Sequence, residues 1–574
     1  MLQFTAVRDL RVSSGEEGNR IVGPNAQILL LIILSMLCVA VSLRTQIANS
    51  FTVLLSGRFD GTIEVTILEH WYNVFGGFES WGTTSYFYPY LGTLAYNDGY
   101  FFYGLIYSVL RYAGFDPYLS SELVNVTLRL IGFISFYIFL HRVFRLSFGW
   151  SAFGAVLFSV GNSMMLHAVH EQLLTIGFVP LLAVLVQEAL IGLVRQDGGR
   201  RFLLWGTATA ILIGVWFMTA FYMAWFTLFF MLFLTPALFL LASRGQRGAL
   251  IAGLRRRWQS ATLLALLLVL CLLPFLSLYL PKAQSTGMWS FSEPAYYTLA
   301  PMDVVHVGGW NLLWGRADQW LYHRFNPDSA VFSEHTVGFA PILLATFLFG
   351  AWRVWRGKIG PLDGLLTRAV VLATIISWIF VFHFKNLHPW HMIFEGVPGA
   401  RGLRVVARYQ LFLAVPVTAI AVVSLAQIKS RGFGVILTLL CTAVLAEEIT
   451  DYEPLVRFNR QHETALLRAT PPAPEECRAF FVSNPREHMD PDTELNIDAM
   501  ILSETHHLPT INGVSTFNPP DGKFTDKDHS EYLDHVRDYA SRHRIEGLCG
   551  LDLRRFTWST EPFSTARVED FRHS

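Results

Sequence analysis

Eleven apolar runs divide the first 450 residues of this chain, at 26–43, 119–141, 151–167, 172–194, 202–220, 222–242, 259–280, 336–352, 369–384, 410–427 and 433–449. Each is near the ~20 residues that a helix needs to cross a bilayer. In hydrocarbon every backbone N–H and C=O must find its partner within the structure, so such runs fold as spanning helices. The charge content agrees: 15% of residues are charged and 52% hydrophobic, against about 25% charged in soluble domains. A soluble globular enzyme, a disordered chain and a disulfide scaffold are excluded. Lys+Arg and Asp+Glu number 44 each, so no basic field invites nucleic acid.

Basic residues set the orientation. Arg8, Arg11 and Arg20, then Arg142 and Arg145, then Arg195, Arg200 and Arg201 fall on alternate connections. Arg244, Arg247, Arg255, Arg256 and Arg257 follow, then Arg353, Arg356, Lys358 and Arg368, then Lys429 and Arg431. Short basic connections stay in the cytoplasm. The reading is therefore a cytoplasmic tail over 1–25, a membrane domain over 26–450 and an extracytoplasmic domain over 451–574. The first run lacks a small-residue cleavage site and reads as a retained anchor. Two large outer loops, 44–118 and 281–335, and a shorter one rich in His and Arg (385–409) form the working face.

Residues 451–574 alternate short apolar runs, such as AFFVS (479–483) and RIEGLCGLDL (544–553), with polar helical patterns, which predicts a small α/β domain. Cys38, Cys271 and Cys441 lie in apolar runs and read as core. Cys477 and Cys549 lie in this tail and are candidates for one disulfide in an oxidising compartment. No internal repeat, P-loop, dinucleotide glycine fingerprint or His-Glu-x-x-His zinc motif is present, so no nucleotide cofactor is expected on the cytoplasmic face, while a divalent metal stays open.

The outer loops hold the candidate chemistry. In GRFDGTIEVTILEHWYNVFGG (57–77), Ile63, Ile67, Trp71 and Val74 recur at helical spacing, which predicts an amphipathic helix on the membrane surface. Asp60 begins it, with Glu64 one turn on. Asp60 reads either as an N-cap or as a general base toward an acceptor hydroxyl. Asp98, in an aromatic-rich stretch, reads as turn chemistry or as a further acid. His167, His170, Glu171 and Gln172 crowd the turn between the third and fourth spans. They read as a solvated hairpin or as hydrogen-bonding partners of a lipid-linked phosphate; a complete metal ligand set is not visible there. In PGARGLRVVARYQ (398–410), Arg401, Arg404 and Arg408 fall at i, i+3 and i+7, so one helical face would present three guanidinium forks to an anion. Lys385 lies in the same loop. Glu334 and His335, where the chain re-enters the membrane, complete the acidic site or mark a helix start.

RFDGTIEVTILEHW (58–71), SYFYPYLGTLAYNDG (85–99) and PGARGLRVVARY (398–409) resemble the GT-C superfamily of integral-membrane glycosyltransferases, in its bacterial members and their YfhO-like relatives. The resemblance covers about residues 26–450 and the layout of the tail. It implies about eleven transmembrane helices and a sugar donor on a polyprenyl phosphate. It also implies transfer to a glycan, lipid or protein acceptor on the outer face of the inner membrane, without a metal in most of the superfamily, and an inverting displacement is the simplest mechanism for it. Asp60 would match the family's catalytic acid, with Glu64 or Asp98 sharing the role. Arg404 and Arg408, with Arg401, would contact the lipid phosphate; His167, His170, Gln172 and Lys385 are candidates to join them by residue type and loop position alone. Glu171, Glu334 and His335 would form an acceptor or second acidic site. Two other classes fit the sequence less closely. A lipid-linked saccharide flippase would carry ionisable groups at mid-membrane depth. A non-catalytic envelope scaffold would use the tail for docking.

Overall fold

The computed structural model describes residues 23–325, 333–357, 364–428, 434–484, 491–524 and 529–563. Most of the predicted N-terminal tail lies outside these residues, with Arg8, Arg11, Arg20, Lys358, Lys429 and Arg431 of the charge argument. Among the described residues, eight helices are long and apolar enough to cross a membrane. They are Pro24–Ser42, Pro117–Arg142, Phe148–Val169, Glu171–Val194, Gly199–Thr219, Phe221–Leu241, Trp258–Thr286 and Arg408–Ala426. Three shorter apolar helices, Pro341–Trp355, Gly364–Phe380 and Gly434–Ala446, fall on the other predicted runs. The chain is an integral membrane protein.

The third and fourth spans unwind where they meet. Regular helix ends at Ser159; a one-turn helix Asn162–Leu166 and two 3-10 stretches, His167–Val169 and Glu171–Gly177, carry the chain across. The tight turns aim His170 and Glu171 in different directions.

The helix predicted at 57–77 spans Arg58–Gly76 and stops at Gly77, whose φ of 79° is the left-handed conformation that ends a helix cheaply. Its polar back is not left to water. Its apolar side (Ile67, Leu68, Trp71) packs with Tyr103 and Tyr107 of the helix Phe101–Tyr112. Val65 joins a cluster with Phe458, Phe480 and Leu502 of the C-terminal region. The polar side is satisfied by that region: Arg58 Nη2 bonds both Asp498 oxygens (3.0 and 2.9 Å), and Asn73 Nδ2 donates to the Glu504 carbonyl at 2.8 Å. Hydrophobic patterning shows a helix's apolar stripe; it does not say whether the polar stripe meets water or another segment.

The C-terminal region builds a three-stranded sheet in the order β3 (Ala479–Ser483), β4 (Leu548–Asp552), β5 (Thr557–Ser559), with β3 parallel and β5 antiparallel to β4. The helices Pro491–His506 and His529–His543 lie in the crossover between β3 and β4. β3 coincides with the apolar run 479–483, and β4 lies within the run 544–553. Cys477 and Cys549 are joined in a disulfide, their Cα atoms 5.6 Å apart. Two backbone seams tie this region to the first loop. β1 (Val53–Leu54) pairs antiparallel with β2 (Phe458–Asn459), and Tyr88 N–H donates to Thr510 O while Thr510 N–H donates to Ser85 O.

Candidate active site

Asp60 stands three residues into its helix, and the N-cap is Gly57, with no side-chain cap. The capping role that an acidic residue at a helix start suggests is therefore unfilled. The Asp60 side chain is 63% exposed, and among the described residues the ionisable group within 4.0 Å of it is His170, whose Nδ1 lies 3.8 Å from Oδ2. The other ring nitrogen of His170 lies 3.4 Å from Glu334 Oε1. Glu334 in turn is gripped by Arg408, with Nε donating to Oε2 at 3.0 Å and Nη2 to Oε1. Four side chains from four segments thus form one line, Asp60–His170–Glu334–Arg408.

Glu334 is placed by the main chain around it. Gly338 N–H donates to His306 O and Phe339 N–H to Val304 O, and Gln410 Nε2 donates to both Asp303 O and Val337 O. Charge does the rest. The Arg408 guanidinium and His170 hold the Glu334 carboxyl far below the ordinary carboxylate range, although burial pushes the other way.

The other two acids behave differently. Glu64 is buried, and its carboxyl is pushed well above the ordinary range, first by burial and then by the charge of the neighbouring Glu171. Asp98 Oδ1 accepts from Phe221 N–H at 2.8 Å, at the start of the helix Phe221–Leu241. It caps that helix from a distant loop, and burial raises its carboxyl to about 6. Of the three predicted acids, Asp60 alone presents an exposed carboxylate.

No family model and no curated protein matches the chain. Among solved structures it is similar to the arabinofuranosyltransferase AftD from Mycobacteria, at 12% identity and a TM-score of 0.50. The chain has the GT-C fold. The match covers 91% of this chain and 35% of AftD, so this chain spans about a third of that protein's length. ArnT from Cupriavidus metallidurans, solved with undecaprenyl phosphate, matches at 11% identity with a TM-score of 0.42, covering 85% of this chain and 86% of ArnT. At these identities the likeness speaks for the fold alone.

Within this GT-C fold the predicted arginine face does not form. Gly399 takes a φ of 83°, Ala400–Gly402 is a 3-10 turn, Leu403 is extended, and regular helix begins only at Arg408. The glycines of PGARG break the periodicity that i, i+3, i+7 spacing assumes. The three guanidiniums diverge. Arg401 pairs with Glu395 at an exposed site. Arg408 is buried, its fork taken by Glu334. Arg404 lies over the rings of Trp289 (5.6 Å) and Tyr297 (5.7 Å), with no carboxylate partner among the described residues. Its own N–H donates to the Tyr222 hydroxyl at 3.0 Å.

The remaining candidates sort by contact. His167 is buried, with Nδ1 3.1 Å from Ser163 O, and lies within electrostatic reach of Glu334 and Arg408. Gln172 Oε1 accepts from the Tyr100 hydroxyl, and Glu171 Oε1 accepts from Asn125 Nδ2. His335 Nδ1 contacts Asp303 Oδ2 at 3.1 Å, and its ring stacks on Tyr297, which links it to Arg404. Lys385 sits exposed in the Phe384–Leu387 turn at a φ of 56°, with no contact to the other candidates among the described residues.

Sequence reasoning missed the aromatic wall. Trp289 is in ring contact with Phe517 of the C-terminal loop (5.1 Å), and Lys282 Nζ lies 3.4 Å from the Tyr96 ring centroid. The tryptophans of the 281–335 loop were a signal. Their pairing with a residue more than two hundred positions away was not.

Proposed function

We propose that this chain is a membrane glycosyltransferase that moves a sugar from a polyprenyl-phosphate donor to an acceptor hydroxyl on the extracytoplasmic face. The observation that carries the reading is the exposed Asp60 carboxylate beside a charge-compensated His170–Glu334–Arg408 unit, in a chain of GT-C fold. Asp60 takes the proton of the acceptor hydroxyl, whose oxygen attacks the anomeric carbon as the carbon–oxygen bond to the phosphate breaks. The configuration inverts. Arg404, the guanidinium without a carboxylate, pairs the departing phosphate, which then leaves without needing a proton. The Trp289 and Tyr297 rings beneath Arg404 hold its guanidinium for that pairing. Arg408 acts through Glu334 and His170, fixing the field at Asp60.

The membrane domain over 26–450, the C-terminal domain over 451–574 and the cytoplasmic N-terminus belong to this proposal, with the inner membrane as its location. The acceptor in this proposal is a glycan, a lipid or a protein.

The test is a transfer and hydrolysis assay over a panel of labelled polyprenyl-phosphate sugars, with crude acceptor extract present. Arg404→Ala should weaken donor binding and turnover at least tenfold while the protein elutes as the wild type does. Turnover of one donor supports the reading, and Arg404→Ala at wild-type rates removes the phosphate assignment. A second reading, a lipid-linked saccharide transporter, is favoured by Glu122 and Arg129, both buried within the Pro117–Arg142 span. Binding of a donor that is never turned over would favour it.

A further inference from the structure

Ten residues beyond Asp60 on the same helix, about 15 Å by helical rise, the chain builds a second polar centre. The His70 ring is fully buried, with Nδ1 2.6 Å from Glu79 Oε2 and 3.9 Å from Glu504 Oε1. Nε2 faces the Trp81 carbonyl oxygen at 3.3 Å. A carbonyl only accepts, so Nε2 carries the hydrogen and Nδ1 turns toward two carboxylates. A nitrogen lone pair and a carboxylate oxygen at that separation need positive charge between them.

The surroundings supply little of it. Glu504 is fully buried and Glu79 nearly so, and among the described residues neither pairs with Lys or Arg. One imidazolium neutralises one carboxylate and leaves the other. Both carboxylates are held in place from outside: Asn73 Nδ2 donates to Glu504 Oε2 (3.0 Å) and Glu79 Oε1 (3.3 Å). Ser85 Oγ donates to Glu79 Oε1 (2.5 Å), and Ser85 N–H to Glu504 Oε1 (3.1 Å). A ring nitrogen fixed by a carbonyl and carboxylates fixed by amide and hydroxyl donors is how metal ligands are oriented. A cavity of about 300 Å³, walled in part by Glu79, Ser85, Tyr88 and His507, opens beside the group.

We propose that His70, Glu79 and Glu504 form a divalent-cation site of the zinc class. It would lock the C-terminal helix Pro491–His506 onto the helix that carries Asp60. One imidazole nitrogen and two carboxylate oxygens are a zinc donor set, and the cavity leaves room for water at a further position. The ligand atoms all lie within 4.8 Å of one another, so modest closure brings them onto one ion. Binding displaces the proton that the three groups otherwise share. The inference does not rest on the glycosyltransferase reading.

The test uses the full chain in detergent, its affinity tag removed, stripped with chelator and titrated with zinc chloride. Retained metal is read by mass spectrometry after desalting, and stability by thermal unfolding. Wild type should keep about one zinc per chain and melt several degrees higher with it. His70→Gln and Glu79→Gln should lose both the metal and the shift while eluting as a single species. Glu79 borders the cavity, so Glu79→Gln decides the matter if His70→Gln misfolds. A wild type that keeps no zinc and gains no stability overturns the site, as does a Glu79→Gln protein that retains as much zinc as wild type. In either case the triad is held by a shared proton.

Discussion

Asp60 owes its exposure to glycine. With Gly57 at the N-cap, the helix start is left to backbone geometry, and the carboxylate three residues on faces His170 instead of its own N–H groups. The acids around it are differentiated by burial. Asp98 illustrates the arithmetic. Burial lifts its carboxyl to about 6, against 3.8 ordinarily, and the Phe221 N–H and the Arg408 charge only partly offset this. Between those values the folded chain holds a proton that the unfolded chain has released, so stability falls as pH rises through that window. An asparagine keeps a carbonyl for the Phe221 N–H and has no charge to bury. Asp98→Asn should therefore melt no lower than wild type at about pH 7.5, with the difference closing near pH 4; a lower melting point at the higher pH would contradict it. Glu334→Gln should act in the opposite sense. It leaves Arg408 buried without its counter-charge, at a cost of about 3 kcal/mol, which denaturant titration reads.

At the scale of the element, the helix Arg58–Gly76 is fixed by close approach. A Cβ on Gly104 would lie 2.5 Å from the Trp71 side chain, so the helix Phe101–Tyr112 crosses at a point where only hydrogen fits. Gly104→Val should destabilise the protein by about 1–3 kcal/mol through overpacking. A melting temperature equal to wild type would show that the two helices part more easily than their packing implies. Hydropathy made the eleven apolar helices of the described residues legible, and short apolar runs did the same for β3 and β4, because burial in lipid or in a sheet core writes itself as a local pattern. The arginine face was misread for the same reason. Spacing of i, i+3 and i+7 means one face only if the backbone stays helical, and Gly399 and Gly402 end that assumption.

At the scale of the whole molecule, the first loop and the C-terminal region are tied together at several points. The β1–β2 ladder, the 85–88 seam with 510–512, the Arg58–Asp498 pair and the His70–Glu79–Glu504 group join segments some four hundred residues apart. Nothing in the local sequence announces such pairs. His70 reads as one more residue of an amphipathic helix until Glu504 arrives beside it. The candidate site shows the same division. Asp60, His170, Glu334 and Arg408 were each visible as residue types in suggestive places. That they stand in one line, and that Arg408 is occupied while Arg404 is not, follows only from the fold.

The central claim is that Asp60 is the base, and its most direct test is sugar transfer by purified Asp60→Asn protein beside wild type, with the donor that wild type turns over. The account predicts that the variant folds, binds donor as wild type does and loses transfer by at least two orders of magnitude, the scale of a lost general base. Transfer at the wild-type rate would contradict it.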